Sequence, residues 1–182
     1  MKHIYLISGP AGAGKSTTSR RLAETFDHSA YIQGDTINHM IVGGYRPPWE
    51  DEDLLSLTWK NIADLSINFL LSGKAVIIDY VAFPHEAAEL AEQLKARVQG
   101  VEVNYVVLWV EKEELLRRDA LRVEESQMGE RCLELLHEFE NAPLNHRFFY
   151  DTSGFNIKSL DRIVDEIKSN SRFIWGKGDE YS

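Results

Sequence analysis

Gly9-Pro10-Ala11-Gly12-Ala13-Gly14-Lys15-Ser16-Thr17 decides how this chain is read, because it meets the spacing GxxxxGK[ST] at every fixed position. Glycines in such a loop let backbone amides turn inward around a polyphosphate, and the helix that follows adds the positive end of its dipole. The flanks agree with that reading. Ile4 to Ser8 is apolar enough for a buried strand, and Thr17 to Phe26 reads as a helix with Leu22, Ala23 and Phe26 on one side. Strand, loop and helix in this order are the context the motif requires. A nucleoside triphosphate is therefore the first ligand expected, with residues Gly9, Pro10, Ala11, Gly12, Ala13, Gly14, Lys15, Ser16 and Thr17 forming its cradle. Lys15 is expected to reach the β- and γ-phosphates, and the Ser16 hydroxyl to ligate magnesium.

Outward from the loop, strand-like and helix-like segments alternate without repeat or low-complexity linker, which favours a parallel α/β sheet. Tyr31 to Gly34 is a short strand candidate ending in Asp35, and a Gly/Pro-rich loop follows from Gly43 to Pro48. Glu50 to Leu71 is a long helical pattern with acids at its N-terminus, where they suit the helix dipole. Ala75 to Ile78 reads as a buried strand ending in Asp79, and Pro84 opens a helix running to Val98. Val103 to Val110 is a further strand, Glu113 to Glu140 is helical in two pieces, Phe148 to Tyr150 is a last strand, and Ile157 to Ile167 is a closing helix. The expected architecture is a three-layer α/β fold of the P-loop NTPase type, five parallel strands with helices on both faces and a helical lid at about 112–141. One domain over 1–170 and a tail over 171–182 complete the division.

Composition bounds the function. A net charge of -9 and a pI near 5.2 argue against a general nucleic-acid binder, which needs a basic face. The single cysteine, Cys132, excludes an internal disulfide, and no paired Cys/His spacing suggests zinc. A reducing cytoplasm fits this usage. No stretch reads as a signal peptide or a membrane span, so neither a membrane nor a nucleic acid is expected as a partner. A monomer or homodimer is expected.

Ligands of open parallel sheets gather at the carboxyl ends of strands, so acids that end strands outrank acids on helices. Asp79, after four apolar residues, is the candidate support for magnesium, its competing role being a helix or turn cap. Asp35, one strand away, is the candidate general base or orienter of an acceptor hydroxyl, its competing role being an N-cap before Thr36. Phosphoryl transfer also calls for cations above the phosphate loop. Arg118 and Arg122, four apart on one helical face, are the candidates, while Arg117 points elsewhere and Arg131 lies on the following helix. Surrounding glutamates leave a solvated charged face as the alternative.

The order of motifs resembles small P-loop kinases. Gly34-Asp35, the Gly43 to Trp49 loop, the acids Glu50 to Asp53 and Trp59 together look like gluconate kinase. Val76-Ile77-Ile78-Asp79, Val107 to Val110 and the arginines that follow are similar to chloramphenicol phosphotransferase and related ATP-binding kinases. The resemblance implies MgATP-dependent transfer to a hydroxyl of a small molecule, with Asp35 matching the family's catalytic or substrate-orienting acid. The chain departs from gluconate kinases after its third strand, where it carries Asp79-Tyr80-Val81-Ala82-Phe83-Pro84-His85. Tyr80, Phe83 and His85 suggest a more aromatic acceptor pocket, and Arg46 is the candidate for an acidic acceptor. A nucleotide or nucleoside kinase and a regulatory ATPase without acceptor are the competing readings.

Overall fold

The apolar runs become five strands, β1 (Lys2–Ser8), β2 (Ser29–Gln33), β3 (Ala75–Asp79), β4 (Val101–Trp109) and β5 (Phe149–Asp151). They form one sheet in the order β2-β3-β1-β4-β5, and every strand pairing is parallel. The computed structural model describes residues 2–121, 127–154, 157–176 and 179. Strands buried on both faces need apolar residues at both parities, which is why they read as unbroken runs. Ile4, Leu6, Ile32, Val76, Ile78, Val103, Tyr105 and Val107 point into one core, and Tyr5, Ile7, Ile77, Val106 and Leu108 into the other.

Helices α3 (Glu52–Leu71) and α4 (Pro84–Arg97) cover the first face, through Ile62, Ile67 and Leu70 and through Leu90 and Leu94. On the second face lie α1 (Lys15–Glu24), α5 (Lys112–Ala120) and α7 (Leu160–Ser169), with Leu22, Leu115, Ile163 and Ile167 buried. α6 (Glu130–Asn141) gives Cys132 and Leu135 to the second core and Phe139 to the first. The sheet reverses its winding between β1 and β3, where in folds of this class the ligand crevice opens.

Boundaries differ from the sequence reading where capping decides them. α3 begins at Glu52 because the Asp51 side chain accepts from the Leu54 amide and so caps the helix. Phe148 belongs to a 3-10 turn (His146–Phe148), set by Asn145, whose side chain accepts from the Arg147 amide, so β5 starts at Phe149. A short helix α2 (Gly34–Asn38) follows β2 and takes in Gly34 and Asp35, which read as the end of the strand. It is one turn and a half long, too short for a periodic pattern. Within residues 171–175, read as the start of a tail, Phe173 and Trp175 are packed, at 0% and 2% exposed.

Candidate active site

The phosphate loop leaves β1 at Ser8 and enters α1 at Lys15. Gly9 has φ 127°, and a Cβ there would stand 2.3 Å from the Leu108 carbonyl oxygen of β4. No side chain fits that approach, so the first glycine is fixed by both conformation and space. Lys15 Nζ donates to the carbonyl oxygens of Gly9 (2.9 Å) and Pro10 (3.0 Å), which holds the ammonium against the loop. Ser16 and Thr17 are exposed on the first turn of α1, at its positive end. On the other side α5 covers the loop, since a Cβ on Gly12 would meet Leu115 Cδ1 at 3.2 Å.

Asp79 closes β3 beside β1, in register with Ile7, and is 4% exposed. Its Oδ2 accepts a 2.7 Å hydrogen bond from the Tyr31 hydroxyl of β2. The Ser16 side chain, on the first turn of α1, lies near enough to act on the same phenol. Burial, and after it the Asp79 carboxylate, pushes the Tyr31 phenol above its usual range, so it stays a donor. Ser16, Tyr31 and Asp79 therefore form one polar cluster under the phosphate loop. This donor set fits magnesium, which is commonly held by one or two carboxylates together with substrate phosphates. Among the described residues there is no group of three or more His, Cys, Asp and Glu side chains that would suit an all-protein cation cage.

Asp35 is exposed in the first turn of α2. It does not precede the helix as an N-cap, a position that Gln33 takes without a side-chain bond. Since Gln33 is in register with Asp79, Asp35 lies just past the same end of the sheet. Gly34 admits the Tyr80 ring, whose Cγ would be 2.3 Å from an added Cβ. Tyr80 is 4% exposed and packs its ring 5.3 Å from that of Trp59. Its hydroxyl is buried and has no hydrogen-bond partner among the described residues. Burial first, then the neighbouring Asp35, Glu86 and Tyr45, raises this phenol as well.

The segment after Tyr80 is pinned. Ser8 Oγ donates to the Ala82 carbonyl and accepts from the Ala82 amide, both at 2.8 Å, and Tyr105 donates to the same carbonyl at 2.6 Å. Buried Glu86 accepts from the Phe83 amide and from Trp59 Nε1, which fixes the start of α4. Burial holds its carboxyl above the usual carboxylate range. Phe83 stacks on His85 and on Phe139, and His85 itself is exposed. Arg46 is exposed on its loop.

Of the lid cations, Arg118 is tethered: Nε donates to Glu114 (2.7 Å) and the other nitrogens to the hydroxyl and carbonyl of Thr152. Arg117 pairs with Glu114 in solvent. Arg131 pairs with Glu134 and Glu138 and lies 5.4 Å from the Trp49 ring centre. Arg122 lies outside the described residues. Two residues of the site and its surroundings carry no motif. Buried Asp119 accepts from the amides of Met128 and Gly129, joining the end of α5 to the start of α6. Tyr31 is the other, and its role depends on register rather than on local pattern.

Residues 4–140 match the family described as an AAA domain. The chain belongs to that family. No curated protein matches its sequence significantly. Among solved structures, a gluconokinase from Sinorhizobium meliloti 1021 superimposes with a TM-score of 0.64 at 18% identity, over 91% of this chain and 89% of that one. The tunicamycin resistance protein of Deinococcus radiodurans gives 0.63 at 19% identity, over 93% and 95%. These two likenesses are of fold. Shikimate kinase from Acinetobacter baumannii, solved in complex with shikimate, gives 0.52 at 26% identity, over 92% and 91%. The similarity to small P-loop kinases read from the motifs thus holds at the level of family and fold. No helix of the described residues is long and apolar enough to cross a membrane.

Proposed function

We propose that this protein is a kinase that uses ATP and Mg2+ to phosphorylate a hydroxyl group of a small molecule. The observation that carries the reading is buried Asp79, held by Tyr31, at the end of β3 beside the phosphate loop and the winding reversal of the sheet. Magnesium, when bound, neutralises phosphate charge as it builds up during transfer. Lys15 compensates charge on two phosphates that backbone amides cannot neutralise, and Ser16 and Asp79 are the protein's side of the metal site. Asp35 accepts the proton of the acceptor hydroxyl or orients it, from the adjacent strand end. Arg118 and Arg122 act from the lid, whose root rests on the phosphate loop through Leu115. In a site emptied of water each such pairing is stronger than in solution.

The test is ADP release measured with a panel of sugar acids, nucleosides and hydroxylated antibiotics. Release that depends on one acceptor class is expected, and Asp35→Asn should lower it by about a hundredfold or more while MgATP affinity is kept. Equal ATP turnover with and without every acceptor would overturn the kinase reading in favour of a regulatory ATPase. Loss of nucleotide affinity in Asp35→Asn, with acceptor turnover kept at saturation, would move Asp35 to the nucleotide site.

A further inference from the structure

Tyr31 is a strand residue with no motif of its own, yet its hydroxyl bonds to the carboxylate assigned to the cation. The register explains how. β2 and β3 run parallel with Tyr31 opposite Ile77 and Gln33 opposite Asp79, so Tyr31 and Asp79 stand on the same face of the sheet, one step apart. That face is the one α1 covers, and α1 brings Ser16 to the phenol from above. The guanidinium of Arg20, also on α1, lies 4.9 Å from the centre of the Tyr31 ring and holds the ring in place.

We infer that Tyr31 is the positioning residue of the cation site, orienting the Asp79 carboxylate beside the phosphate loop. This rests on the kinase reading, which makes Ser16 and Asp79 the protein's contribution to magnesium binding. A protonated phenol is a poor ligand for magnesium but a good donor to a carboxylate. By occupying Oδ2 of Asp79 at 2.7 Å it fixes the carboxylate plane and leaves Oδ1 for the hydration shell of a cation.

Calorimetry of ADP binding with and without Mg2+ tests this on the wild type, Tyr31→Phe, Asp79→Asn and the double variant. Phenylalanine keeps the ring under Arg20 and removes only the hydroxyl. The metal-free affinity of Tyr31→Phe is expected to equal that of the wild type. The gain in affinity that Mg2+ brings should shrink by about tenfold or more, as for other groups that orient metal ligands. The double variant should bind MgADP no more weakly than Asp79→Asn alone, because both changes break one interaction. An unchanged magnesium gain in Tyr31→Phe overturns the inference, as does a tighter MgADP complex, which would make the phenol a latch that the cation must open. Equal losses with and without Mg2+ also overturn it, since they would make Tyr31 a support of the loop. A wild type that binds no ADP in the presence of Mg2+ overturns the kinase reading itself, and so is distinct from all three.

Discussion

The Tyr80 hydroxyl is buried with no hydrogen-bond partner among the described residues, within reach of the fields of Asp35 and Glu86. A buried polar group left unpaired costs about 1–3 kcal/mol, far more than the hydroxyl contributes by packing. Tyr80→Phe should therefore stabilise the acceptor-free protein by about 1 kcal/mol, raising Tm by about 2–4 °C for a chain of this size. Thermal melts of both proteins check the sign, and a lower Tm in the variant would mean that an ordered water satisfies the phenol. Single residues also mark the limit of what sequence reveals. Gly9, Lys15 and Ser16 announce themselves because the chemistry of a phosphate cradle needs them at fixed local spacing. Tyr31 does not, because it meets Asp79 across 48 residues of chain and only through the pairing of two strands. Asp119 is equally silent, since any acid near a helix end can cap the next one.

At the scale of elements, α5 is tied at both ends of the Arg118 side chain. Glu114 lies four residues before it on the same helix, and Thr152 follows β5. Hydrogen bonds from Arg117 and then Arg118 hold the Glu114 carboxyl down to about 2, from an ordinary value of 4.5. A carboxyl lowered on folding adds stability above its ordinary value and gives it up as pH falls toward the folded value. The loss is expected between about pH 4.5 and about pH 2, and because Arg117 is in solvent it should be modest. Glu114→Gln should flatten this part of the acid limb. Melting temperatures across that range check it, and parallel curves for both proteins would show that the tether contributes nothing. The same elements show which patterns survive reading by eye. Long strands and helices are legible because burial on two faces or one imposes a sustained period, whereas the five residues of α2 are too few to display one. The two-piece lid is legible as helix, but the hydrogen bonds from Arg118 to Thr152, just past β5, are not, since Thr152 is brought there only through the sheet.

For the whole molecule, the parallel sheet has an unfinished edge. β5 pairs with β4 only at Val107, Leu108 and Trp109, which leaves the first six residues of β4 beyond its reach. Exposed strand edges of this kind invite pairing with other chains. Here the segment after α7 turns back along that edge: Ile174 bridges Asn104 in antiparallel fashion, and the Trp175 amide donates to the Val103 carbonyl at 2.8 Å. Trp175 then packs edge-on against Tyr105 and stacks on Phe148, while Lys95 donates to its carbonyl from α4. One tryptophan thereby joins β4, α4 and the turn before β5, and it lies far along the chain from every motif of the phosphate site. Truncating it to alanine empties a large, 2% exposed position whose neighbours belong to rigid elements and relax little. Trp175→Ala should cost about 3–5 kcal/mol in urea denaturation, with nucleotide affinity of the folded fraction unchanged. A chain ending at Asn170 should lose more, because it also gives up Phe173 and uncovers the edge of β4, and it should self-associate more strongly than the full chain. Equal urea midpoints for Trp175→Ala and wild type would show that this edge needs no cover, and the closing segment would then be an ornament of the fold rather than part of its sheet.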